Sequence, residues 1–149
     1  MKVLLALVCM LAAGASPLRA QVAGDFGAGV MLGRHTGVTA KYWMTEGRAL
    51  DAGIGIENNL SLYGDILWHS WRVLPQPSQG KLPVYLGIGL ESGNSDRNDF
   101  GLRAVAGVAY WFPRNPLEVF AEIVPVLHFN DDKGANVSAT IGGRYYFEW

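Results

Sequence analysis

Past residue 20 the chain alternates with a period of two almost without interruption, and this pattern limits its fold more than any other feature of the sequence. One set of positions is uncharged, while the other mixes glycine with acids and bases. Successive side chains of a strand point to opposite faces, so the alternation reads as β-structure and leaves no room for helices. The uncharged set includes Val38, Ala40, Tyr42 and Met44, then Leu50, Ala52, Ile54 and Ile56, then Leu60, Leu62, Gly64, Ile66 and Trp68. It continues through Leu82 to Leu90, Phe100 to Phe112, Leu117 to Phe129 and Val137 to Trp149. Strands are expected near 25–33, 36–45, 49–57, 59–72, 82–92, 100–113, 117–130 and 135–149. The breaks between them are short and rich in Gly, Asn, Asp and Pro, so each strand should pair antiparallel with the next. Pro125 falls mid-strand, where it removes a ladder donor; a bulge or bend, or a shorter seventh strand, is expected there.

Residues 1–20 differ in kind. Lys2 precedes an apolar run from Val3 to Ala15, and Ser16, Pro17, Leu18, Arg19 and Ala20 close it. This is the pattern of a cleaved secretory signal, too short for a membrane-spanning helix. Cleavage is expected after Ala20, with Ala15 competing, and residues 21–149 then form one domain. Cys9 lies inside the apolar run, away from either cleavage point, which argues against a lipoprotein. As the only cysteine it also excludes a disulfide scaffold and a cysteine-ligated metal site. Loss of Lys2 and Arg19 takes the formal charge from −1 to −3, so no nucleic-acid partner is expected.

Two barrels fit the alternation, and volume separates them. An eight-stranded barrel is only just wide enough inside for side chains to fill. The uncharged face is too large to pack there, so a soluble lipocalin-like binder of a hydrophobic ligand would need that face reversed. Inversion puts glycine and charge in the lumen and the uncharged face against lipid. The expected fold is therefore an all-β, eight-stranded antiparallel up-and-down transmembrane β-barrel. Its lumen would hold Lys41, Arg103 and Arg144 against Asp51, Glu57, Asp65, Glu91, Glu118 and Glu122 as a network of ion pairs, because lone buried charges are costly.

Aromatic residues gather at the ends of the even-numbered strands: Tyr42 and Trp43, Trp68 and Trp71, Tyr110, Trp111 and Phe112, then Tyr145, Phe147 and Trp149. In a meander these ends share one rim, and the expected result is an interfacial girdle on the side of the chain termini, the periplasmic side.

With these features the mature chain resembles the small eight-stranded outer-membrane proteins and is similar in architecture to the transmembrane domain of outer membrane protein A. The stretches Gly80-Lys81-Leu82-Pro83-Val84-Tyr85-Leu86-Gly87, Asn115-Pro116-Leu117-Glu118-Val119-Phe120 and Gly143-Arg144-Tyr145-Tyr146-Phe147 also look like a group of uncharacterised bacterial outer-membrane barrels. The resemblance implies a location in the outer membrane of a Gram-negative bacterium, and no activity. It also implies that Tyr145, Phe147 and Trp149 form a C-terminal assembly signal. That signal would be read by periplasmic chaperones and the barrel-assembly machinery. The usual glycine of the signal falls on Arg144 if Trp149 ends it, and on Gly142 if Phe147 does.

Neither a catalytic residue nor a cofactor or metal site is expected. His35, His69 and His128 lack ligand spacing. Some barrels of this size are lipid A deacylases that carry a His-x-Ser, but here the match is His128-Phe129-Asn130, with Ser138 ten residues past His128. The expected function is a structural or interaction role in the envelope, as a monomer whose partner is outer-membrane lipid, with a small-solute channel as the alternative. The longest outer loop is expected at 92–99, too short for a large receptor surface.

Overall fold

The computed structural model describes residues 22–57, 60–94, 98–129 and 134–147. They form a closed antiparallel barrel of β1 (Phe26–Gly33), β2 (Gly37–Trp43), β3 (Arg48–Gly55), β4 (Ser61–Ser70), β5 (Val84–Asn94), β6 (Asn98–Trp111), β7 (Leu117–His128) and β8 (Ala135–Phe147). Each strand pairs with its sequence neighbours, and β8 closes on β1. The expected signal segment, residues 58–59, where a break between the third and fourth strands is expected, and Trp149 lie outside the described residues.

Closure fixes the geometry. Followed strand by strand from Tyr146 through Gly27, Lys41, Asp51, Asp65, Gly89, Arg103 and Val126, the ladder returns to β8 at Asn136, ten residues from its start. Such a stagger tilts the strands by roughly 40° to the barrel axis. Residues far apart in sequence and register therefore meet across the lumen.

The two faces separate as the alternation requires. Exposed large apolar side chains from Val30 and Leu32 round to Val137 and Ile141 cover the outer wall, and charged residues line the interior. An inward apolar cavity of the lipocalin kind is thereby replaced by an outward apolar surface.

Four interior aromatic rings each lie over a glycine on the neighbouring strand. Gly53 pairs with Tyr63, Gly107 with Tyr85, Gly142 with Phe120 and Gly27 with Tyr146. A Cβ added to any of these glycines would come within 2.4–2.8 Å of the ring opposite. Glycine in this barrel thus makes room for the large side chains that fill it. Gly29 and Gly37 are tighter still, since a Cβ there would meet backbone carbonyls at 1.8 and 1.9 Å.

The outer connection at 92–99 differs from expectation. β5 and β6 extend to Asn94 and Asn98, paired with each other, so most of the 92–99 segment is hairpin rather than loop. The long connection is 71–83, on the side of the termini. There the Gln76 side-chain amide donates to the carbonyls of Trp71, Leu74 and Leu82 and accepts from the Leu82 N–H, tying the segment down. At Pro125 the strand neither bulges nor changes register: the pairing of Arg103 with Val126 and of Ala106 with Ile123 stays in step, and only the bridges between them lapse.

Candidate functional site: the ion-paired interior

Nearest the termini, Glu118 is the centre of a knot. Its Oε1 accepts from Arg144 Nη1 at 2.6 Å, and its Oε2 accepts from Lys41 Nζ at 3.2 Å and from the Tyr146 hydroxyl at 3.2 Å. Arg144 reaches on through Nη2 to Asp51 Oδ1 at 2.9 Å. Lys41 and Asp51 are direct cross-strand neighbours, yet each pairs instead with a residue carried in by the closing strands β7 and β8. Thr39 stitches the group together: its hydroxyl donates to Asp51 Oδ1 and accepts from Arg144 and Tyr63. Arg144 also stacks on Phe120, its guanidinium carbon 3.9 Å from the ring centroid. Alternating charges and charge-assisted hydrogen bonds are what make buried ions tolerable. Beside the knot, Glu122 accepts a 2.7 Å hydrogen bond from the Tyr85 hydroxyl.

Towards the opposite mouth the contacts are looser. Arg103 Nε lies 2.9 Å from Asp65 Oδ1, a charge contact without the alignment of a hydrogen bond, and Arg103 Nη1 lies 3.5 Å from Glu91 Oε2. Its guanidinium sits over Tyr63 at 4.0 Å. His35, in the β1–β2 turn, bridges the mouth: Nδ1 is 3.0 Å from Ser61 Oγ and Nε2 is 3.4 Å from Glu91 Oε2. Hydroxyl, imidazole and carboxylate in series can activate a serine. The backbone at Ser61 itself pairs with Gly55 on one side and Gly93 on the other.

An aromatic floor closes the end near the termini. Trp43, fully buried, packs against His69, Trp71 and Trp111 with ring centroids 4.4, 6.1 and 6.2 Å away, and Trp111 packs on Tyr146 at 4.4 Å. Lys41 Nζ, 2.9 Å from His69 Nε2, lies above this layer and over the rings of Trp43 and Tyr85.

Of the nine charged residues expected inside, the structure brings eight into the lumen. Glu57 is the exception: β3 ends at Gly55, the alternation stops with it, and Glu57 is exposed beyond the strand. The aromatic rim is corrected as well. Trp43 and Trp111 belong to the interior, as strand parity requires, and half-buried Trp71 packs against them. The outward rim consists of Tyr42, Trp68, Tyr110, Phe112, Tyr145 and Phe147, joined by Phe26, whose ring lies 6.3 Å from that of Phe147. His128 and Ser138 are not brought together: the Asn136 amide meets His128 Nε2 at 2.9 Å, while Ser138 Oγ donates to the Val124 carbonyl. The placement of Ser61, Thr39 and His35, and of the four interior rings over their glycines, follows from the register and from no local signal in the sequence.

Fold and interior together define a class: closed eight-stranded barrels with an apolar outer wall and a side-chain-filled, ion-paired lumen. Among solved structures, the chain is similar to the N-terminal β-barrel domain of OprF from Pseudomonas aeruginosa. The two share 20% sequence identity at a TM-score of 0.59, over 83% of this chain and 98% of that one. No protein-family model matches the sequence, and no curated protein matches it either. The likeness to OprF is one of fold.

Proposed function

We propose that this chain is an outer-membrane β-barrel protein with a structural or interaction role in the bacterial envelope. The observation that carries the reading is the outer wall, where aliphatic residues from Val30 to Ile141 stand exposed while eight charged residues are buried inside. In water such a wall would be far beyond the apolar patch a soluble monomer exposes, whereas in a bilayer it is the required surface. Apart from the Ala104 carbonyl opposite Pro125, the strand ladders of the described residues also follow the rule that backbone polar groups crossing a membrane be paired within the protein.

On this reading residues 1–20 direct export and are removed. Tyr145, Phe147 and Trp149 then present the last strand to periplasmic chaperones and the assembly machinery, and the outward aromatic rim sits at the periplasmic interface. The barrel acts as a monomer in lipid, and its interior serves to hold the wall together rather than to perform chemistry. Membrane fractionation with electrophoresis of boiled and unboiled samples tests this. An outer-membrane band whose mobility changes only on boiling is expected, and a soluble periplasmic band with no shift would overturn the reading.

One observation favours a second reading, a small-solute pore: five buried acids face three buried Lys and Arg residues in the lumen. The floor of Trp43, Trp111 and His69 opposes it. Planar-bilayer recordings should show no steady conductance, and a reproducible cation-selective current would favour the pore.

A further inference from the structure

Pro125 leaves a specific vacancy in the hydrogen-bond pattern of the outer wall. In the β6–β7 ladder the bonded pairs fall on even-numbered β6 residues, since Phe129 N donates to Phe100 O at one end and Phe112 N donates to Leu117 O at the other. Ala104 and Pro125 stand opposite each other in the same register. Proline has no N–H, so the Ala104 carbonyl lacks the donor that every neighbouring bonded pair supplies. At this point the wall is indented by a mostly apolar groove of about 330 Å³, lined by Ile88, Leu102, Ala104, Pro125, Leu127 and Val137, with Ala135 and Asn136 of β8 also bordering it. The small residues Ala104 and Pro125 lie between exposed, larger ones, and the adjacent Arg103 and Val126 turn their side chains inward. The groove lies three residues from the end of β7, in the half of the barrel away from the termini.

We propose that this groove seats one acyl chain of an outer-leaflet lipid, and that the chain carries a hydroxyl group which donates to the Ala104 carbonyl. The proposal rests on the outer-membrane reading. A groove on a lipid-facing wall is filled by hydrocarbon, but plain hydrocarbon leaves the carbonyl unpaired where no water can reach it. A second copy of this barrel would present a wall whose own backbone is already paired. A hydroxyl on the chain brings both the apolar body and the missing donor.

The test uses the full barrel, purified in a neutral detergent. It is titrated with two phosphatidylglycerols that differ only in a 3-hydroxyl on one tetradecanoyl chain, and bound lipid is counted by native mass spectrometry. The wild type should hold one lipid with a roughly tenfold preference for the hydroxylated form, the worth of one net hydrogen bond. Pro125→Val supplies the N–H to Ala104, so lipid should still bind while the preference falls towards one. Ala104→Leu fills the groove and should abolish retention of both lipids. No retained lipid, equal retention of both by the wild type, or a preference that survives Pro125→Val would overturn the proposal. So would dimers in place of the lipid-bound monomer. Heat-modifiable mobility is followed for every variant, so a barrel that remains closed and membrane-derived but does not select lipid refutes the groove without touching the outer-membrane reading.

Discussion

The knot around Glu118 and the contacts around Glu91 use the same chemistry at two depths of one barrel. Near the termini, the side chains of Lys41, Asp51, Glu118 and Arg144 are fully shielded, and Glu118 is bound by three donors, the closest at 2.6 Å. Near the other mouth, Arg103 and His35 approach Glu91 only to 3.5 and 3.4 Å, and the His35 side chain is 14% exposed. The difference is one of closure. Below, an aromatic floor and the β7–β8 strands seal the charges in; above, Glu91 is covered by His35, a turn residue that is itself partly exposed. An ion pair sealed from water is expensive to break, because the partner left behind cannot be solvated, whereas one beside water is not.

The largest expected effect comes from breaking the sealed site. Glu118→Gln leaves Lys41 and Arg144 short of charge and should lower stability by about 3–5 kcal/mol, read as the urea midpoint of the barrel folded into phospholipid vesicles. Next is the contrast between wall and lumen: Ile54→Arg puts a cation on the outer wall and should cost about 2–4 kcal/mol and reduce assembly in cells. Gly53→Ala pushes a methyl group into the Tyr63 ring and should cost about 1–3 kcal/mol in the same unfolding assay. The smallest change belongs to the looser site, where the contacts to Glu91 are 3.4–3.5 Å long and Glu91→Gln should cost roughly 1 kcal/mol or less. Equal losses from Glu118→Gln and Glu91→Gln would erase the distinction between the two depths.

The strands and the parity of their faces were legible in the sequence, because a period of two is a local signal that each strand carries by itself. Glu118 and Glu122 could be placed on one inward face for that reason. Their partners could not, because the meeting of Glu118 with Lys41 and of Asp51 with Arg144 depends on how β8 closes onto β1, a property of the whole barrel. The tryptophans teach the reverse lesson: Trp43 and Trp111 alternate with outward Tyr42 and Tyr110 and therefore point inside, although clustering of aromatic residues suggests a common rim. His35 sits in a turn, where no alternation exists to say which way it points. Pro125 was visible as a break in the ladder, but whether the strand would bulge or merely lose a bond depended on packing against β6.

The central claim is that the uncharged face meets lipid while the charged face is enclosed. With Cys9 inside the segment expected to be cleaved, the mature chain offers a cysteine-free background for single labels. Nitroxides placed through Leu50→Cys, Ala52→Cys and Ile54→Cys, in the barrel folded into vesicles, can be tested by spin resonance for collision with oxygen and with a water-soluble nickel chelate. The account predicts high oxygen and low nickel accessibility at all three positions. High nickel accessibility along this row would place the wall in water and contradict it.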